Sequence, residues 1–139
     1  GIDYVADVMN NVDRVSEKTI FDGLTMYDAV LADEIRKRMF VFEDILTMDD
    51  RSVQRFVRDC DTHDLVLALK SATSELANKL FKNMSTRMAE SIKDDLEITT
   101  NVRMKDVDDA QQRIVGVIRD LEAKNEIIIL KGGKDDIIA

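Results

Sequence analysis

The chain has 139 residues, 45% of them hydrophobic and 35% charged, which sets it at one to two small domains with material for a core. Its formal net charge of −8 argues against nucleic acid as a partner, because an acidic surface releases no counterions from a phosphate backbone, and gives no attraction to an anionic membrane surface. Proline is absent and glycine numbers five, so little interrupts a helix and an all-α fold is expected.

Residues 1–38 read as three short helices. Val5, Val8, Met9 and Val12 keep the i, i+3, i+4, i+7 spacing of one helical face. Ser16 is the expected cap of a second helix carrying Ile20, Phe21 and Leu24, with Gly23 near its end. Thr25, with Asp28 three residues on, resembles a capping box for the third, and Tyr27, Leu31, Ile35 and Met39 recur every four residues. A unit of about 40 residues is too small to hold a core alone. Its length matches one armadillo-like repeat, so cover is expected from an upstream part of the protein, another copy or a partner.

Residues 39–48 form the expected connector. Met39, Phe40, Val41 and Phe42 are consecutive large apolar residues. The plainer reading is a buried helix end; the functional one is a hinge whose aromatic plug repacks. Residues 49–139 read as a second helical unit. Asp49 or Asp50 starts a helix with Val53, Phe56 and Val57 inward, and Asp61 with Asp64 caps one carrying Leu65, Val66, Leu67 and Leu69. Thr73 caps the next, with Leu76, Leu80 and Phe81 inward; Ser85 caps another, whose stripe is Met84, Met88, Ile92 and Leu96. Asp106 with Asp109 starts the longest helix, with Val107, Ala110, Ile114, Val117, Ile118 and Leu121 on its face and Asn125 stopping it in the left-handed conformation. Residues 127–130 are a short apolar end, and a loose tail is expected from about residue 131.

Few residues form a chemical constellation. Asp59, Asp61 and Asp64 fail as a calcium loop: His63 holds a ligand position, Asp64 replaces the turn glycine, and Lys70 stands where a bidentate Glu is needed. Gly132, Gly133 and Lys134 lack the first glycine and the Ser or Thr of a phosphate loop. His63 has no second histidine and no nucleophile with a clear role, so a triad or a zinc site is not expected. Asp94 and Asp95 are adjacent on a helix, about 100° apart, and do not converge on one substrate as paired acids must. No metal, cofactor or catalytic residue is therefore expected. Cys60 stands alone, which fits a small buried hydrophobe in a reducing compartment. No apolar run approaches the ~20 residues that span a bilayer, and no secretory signal is present. The opening at Gly1, without an initiator Met, fits a fragment of a longer protein.

One surface pattern stands out. Arg87, Ser91 and Asp94 are four and three residues apart and line one helix side, with Arg87 and Asp94 about 10 Å apart along the axis, too far to pair. Glu90 is the one local competitor for Arg87, at i+3. On composition alone this is a solvated face.

The segments RKRMFVFEDI (36–45), DDRSVQRF (49–56), THDLVLALK (62–70), KNMSTRMAESIKDDLE (82–97), VRMKDVDDAQQ (102–112) and RDLEAKNEIII (119–129) resemble the flagellar motor switch family FliG over nearly the whole chain, more weakly in residues 1–35. The resemblance implies that residues 1–38 are an armadillo module packing on a neighbouring copy, that Met39, Phe40, Val41 and Phe42 are a Met-Phe-x-Phe hinge linked to reversal of rotation, and that a six-helix domain follows. It also implies a ridge of Lys70, Arg87, Asp94, Asp95 and Arg103 facing the cytoplasmic loop of the stator protein MotA, with ion flow through the stator supplying the energy. Neighbouring FliG copies and switch proteins such as FliM are the other implied partners, at the cytoplasmic face of the inner membrane in the basal body. The family's ring-binding and middle domains, the latter with the main FliM-docking motif, are not in this sequence. The chain departs from the pattern at Ser71, where members commonly have Gly, and at Thr100 and Asn101, where they commonly have Gly-Pro. The rival reading is a static armadillo-type scaffold with no motor role.

Overall fold

The computed structural model describes residues 1–129, so the expected tail and the Gly132–Lys134 motif lie outside the described residues. The described chain is helical, with no strand, and divides into one unit of residues 1–41 and another of residues 42–129.

The first unit holds α1 (Ile2–Met9), α2 (Arg14–Tyr27) and α3 (Ala29–Met39), with α3 packed on both others. Ala6, Met9, Phe21, Ala32 and Ile35 are buried together, flanked by Ile2, Val12, Leu24, Leu31 and Met39. The inward face of α1 is thus Ile2, Ala6 and Met9. Val5 and Val8, expected inside, are 39% and 45% exposed. Asp13, not Ser16, caps α2; its carboxylate accepts from the Ser16 amide at 2.7 Å and the Ser16 hydroxyl at 3.1 Å. Asp28 itself, not Thr25, caps α3 through the Leu31 amide at 3.0 Å. The extended backbone at Asp28 interrupts the helix, so the four-residue spacing from Tyr27 does not survive it and Tyr27 is exposed. Asn10 Nδ2 donates to the Met39 carbonyl at 3.2 Å and ties the ends of α1 and α3. Tyr4, Val15, Met26, Tyr27 and Val30 are all at least 70% exposed, a large apolar surface for so small a unit.

The second unit opens with a 3-10 helix, Phe42–Thr47, followed by α4 (Asp50–Val57), α5 (Thr62–Leu69), α6 (Ser74–Lys82), α7 (Thr86–Ile98) and α8 (Met104–Ala123). The six helical elements are therefore five α-helices and one short 3-10 turn. α5 is central: Leu65 to Leu69 are all buried, and it packs on α7 and α8. The 3-10 helix rests on α6 and α8, and α4 on the same two helices. Phe56, Ile45, Met48, Leu65, Leu76, Leu80, Ile92, Ile114 and Ile118 are the large, fully enclosed side chains. Each contributes about 1.5–3 kcal/mol of burial.

Four starts follow the expected capping chemistry: Asp49 to the Ser52 amide, Asp61 to His63, Thr73 to Leu76 and Ser85 to Met88. The longest helix differs. It begins at Met104 with Arg103 at the cap position and no side-chain cap, and Asp106 sits in its first turn. Val115 is buried where Val117 was expected, while Val117 is only half-buried. Asn125 adopts φ 61° just past the end of α8, the left-handed stop that an Asn tolerates.

Candidate interaction site on helix α7

α7 is fixed from its inner side. Ala89 and Ile92 are buried, Met84, Met88 and Leu96 half-buried, and Lys93 Nζ stands 4.9 Å from the centre of the Phe81 ring of α6. Arg87, Ser91 and Asp94 point to solvent from the other side, and Asp95 is half-buried. Among the described residues no ion pair or side-chain hydrogen bond engages Arg87, Asp94 or Asp95, and Glu90 does not pair with Arg87.

The two outer members of the proposed ridge are held differently. Lys70 ends α5, and its ammonium donates to the Leu96 carbonyl at 2.6 Å, satisfying one of the last carbonyls of α7. Arg103 forks onto Asp106, with Nε 3.1 Å and Nη2 3.2 Å from its two oxygens. That hydrogen-bonded pair raises the Arg103 pKa and holds the Asp106 carboxyl below the ordinary carboxylate range. Lys70 and Arg103 are thus engaged within the chain, whereas Arg87 and Asp94 are not.

The departures from the family pattern have local explanations. Ser71 Oγ accepts from Gln111 Nε2 at 3.0 Å, and the same amide donates to the Ala68 carbonyl at 3.1 Å, so the hydroxyl joins the end of α5 to α8. Asn101 takes φ 58°, a left-handed backbone that Asn tolerates and that the proline of the family pattern, with φ fixed near about −65°, cannot adopt. No account of Thr100 emerges.

The other candidate residues are occupied or enclosed. Asp59 pairs with Arg55 at 3.0 Å, Asp61 caps α5, and Asp64 accepts from Arg113 at 2.9 Å. No group of three potential metal ligands assembles among the described residues. Burial first, then the nearby Asp64, Asp59 and Asp61, pushes the Cys60 thiol up to about 12, so it is an inert apolar filler. His63 borders a shallow cleft of about 390 Å³ with Thr99, Asp106, Asp109 and Arg113, and no Ser or Cys lines it. Of the hinge residues, Met39 ends α3 and packs on the first unit's core, Phe40 and Phe42 are buried, and Val41 is 37% exposed. The sequence reading passed over Arg51, Arg55 and Arg58, whose i, i+4, i+7 spacing lays them along one side of α4.

The second unit is all-helical and presents charges on a fixed helix, and no group of potential metal ligands assembles among the described residues. Residues 22–129 match the FliG C-terminal domain family, and the chain belongs to that family. It is 56% identical over 138 residues to the flagellar motor switch protein FliG of Thermotoga maritima and 53% identical to that of Bacillus subtilis, covering 99% of this chain and 41% of each relative. The chain thus spans about two fifths of the length of these relatives. Full-length FliG from Aquifex aeolicus superposes with a TM-score of 0.83 at 29% identity, over 89% of this chain and 39% of that one. A FliG fragment from H. pylori gives 0.70 at 35% identity, over 94% and 57%. By name, these relatives are flagellar motor switch proteins.

Proposed function

We propose that the chain is the torque-receiving part of a flagellar rotor. The carrying observation is that Arg87 and Asp94, of opposite sign, stand exposed and unengaged on one side of a helix anchored from the other. In this reading the ridge of Lys70, Arg87, Asp94, Asp95 and Arg103 meets complementary charges on the cytoplasmic loop of MotA, with Lys70 and Arg103 acting mainly to shape its ends. Exposed pairs are worth about 0–1 kcal/mol, which suits steering and repeated release. Residues 1–38 would pack through their exposed apolar surface on a neighbouring FliG copy, and the assembly, with FliM, would sit at the cytoplasmic face of the membrane. Among the described residues no helix is long and apolar enough to cross it.

The test is charge reversal of Arg87 with Asp94 and Asp95 in the full-length protein. Flagella should assemble while torque falls; normal torque in tethered cells would refute the ridge. A static scaffold, favoured only by the apolar surface of residues 1–38, would be indifferent to the same change. The hinge reading of Met39, Phe40, Val41 and Phe42 is separate. Crosslinks that fix residues 39–48 should block reversal, and unaltered switching would dismiss it.

A further inference from the structure

A groove of about 1130 Å³ opens in the second unit between α4, the start of α7 and the segment after α8. Val57, Met84, Met88 and Ile128 give it apolar lining, and Arg51 and Arg58 stand at its α4 side. Its floor is held rigid. Asn83, 7% exposed, accepts from Gln54 Nε2 at 3.1 Å and donates to Asp50 at 3.1 Å and to the Lys79 carbonyl at 2.9 Å. Ser52, 4% exposed, donates to Asp49 at 2.7 Å and accepts from the Ile128 amide at 3.3 Å.

The charges around it are unbalanced in one respect. Arg55 is held by Asp59 at 3.0 Å and Glu126 at 2.9 Å, and Lys82 lies 3.6 Å from Asp50. The lining acids Asp49 and Glu126 are therefore engaged by Ser52 and Arg55. Arg51 and Arg58 are exposed and, among the described residues, have no ion pair or side-chain hydrogen bond. A chain with 28 acids and 20 lysines and arginines had acids to spare for them.

We propose that this groove docks an acidic amphipathic helix of another protein. Arg51 and Arg58 are seven residues apart, about 10 Å along α4. A helix with carboxylates at i and i+7 meets both guanidinium groups, which take carboxylates in a two-point fork. The same helix presents i+3 and i+4 on that face, where apolar side chains cover Met84 and Met88, residues suited to adaptable apolar contact. An extended strand does not fit: acids three residues apart span the distance but point to opposite faces. The occupant would lie against α7 beside Arg87 but on a different side of that helix, and the inference does not depend on the motor reading.

The experiment uses the full chain, isotope-labelled, titrated with a stapled helical peptide carrying Glu at i and i+7 and Leu at i+3 and i+4. Shifts should map to Arg51, Arg58, Met84 and Met88. R51E/R58E should weaken binding at least about tenfold, as should raised salt. Both arginines are exposed, so the fold should persist; if circular dichroism shows otherwise, R51Q/R58Q serves instead. No binding, equal binding of the Lys-for-Glu peptide, or shifts elsewhere overturns the proposal. Concentration-dependent shifts of the same residues without peptide would assign the groove to a second copy and overturn it. So would groove shifts on deleting residues 130–139, which would assign it to the chain's own end.

Discussion

Replacing Asn83 by Ala removes three hydrogen bonds from a nearly buried side chain. Those to Gln54 and the Lys79 carbonyl have neutral partners and are worth about 1 kcal/mol each, so these two alone account for about 2 kcal/mol at any pH. With a urea dependence of about 1–3 kcal/mol per molar, the midpoint followed by circular dichroism should fall by about 1 M. The third bond makes the effect pH-dependent. The Asp50 carboxyl is held low first by Asn83, then by Lys82 and Lys79. A carboxyl depressed on folding contributes stability that is present above its unfolded value, about 3.9, and lost as pH falls through its folded value. Asn83→Ala removes the main cause, so the gap between the native chain and the variant should be widest above about pH 4 and narrow in acid. A midpoint shift below about 0.3 M with the slope unchanged would refute the packing argument. An equal gap at both pH values would refute the role assigned to Asp50.

Lys70→Met should remove about 0.5–1 kcal/mol and lower amide exchange protection in the last turn of α7, because its ammonium holds the Leu96 carbonyl. Arg87→Met should leave that turn unchanged, and matching effects would erase the distinction between engaged and unengaged ridge charges. Asn101→Gly should be tolerated, whereas Asn101→Val should cost about 1–2 kcal/mol in thermal unfolding, because φ is 58° there; indifference to Val would contradict the left-handed turn. Cys60, pushed up to about 12 by burial, should resist disulfide-exchange reagents at mild alkaline pH and react at once in denaturant. Its unfolded thiol ionises near 8.5, so its contribution to stability is complete below that value and declines as pH rises toward the folded value; stoichiometric labelling of the native chain would show that the thiol is accessible.

How legible the fold was depended on the range of the determining interaction. Asp49, Asp61, Thr73 and Ser85 were readable as caps because a cap bond closes within two or three residues. The same chemistry misled in the first unit, where Ser16 is the recipient of the Asp13 cap and Asp28 is the cap itself. Arg103 was missed as a helix start because it supplies no cap bond and instead reaches forward to Asp106. The exposed face of α7 was visible from spacing alone. That Lys70 reaches the Leu96 carbonyl and Gln111 reaches Ser71 was not, since those contacts join residues 26 and 40 positions apart and exist only once the helices have packed.

The separation of Arg87 from Asp94 gives the face its electrostatic character. About 10 Å along the helix slightly exceeds the ~8 Å screening length at physiological salt. A charged group passing close to α7 therefore responds mainly to one charge at a time, attracted at one end and repelled at the other. Had Arg87 closed on Glu90, or had Asp94 found a partner as Asp106 did in Arg103, the two would present a nearly neutral pair with little field beyond contact. Engaging the end charges Lys70 and Arg103 inside the chain while leaving the middle unpaired keeps the helix termini ordered and the alternating field exposed. On the proposed function, a contact built this way would be short-lived and directional, and its strength would depend on where along α7 the partner stands.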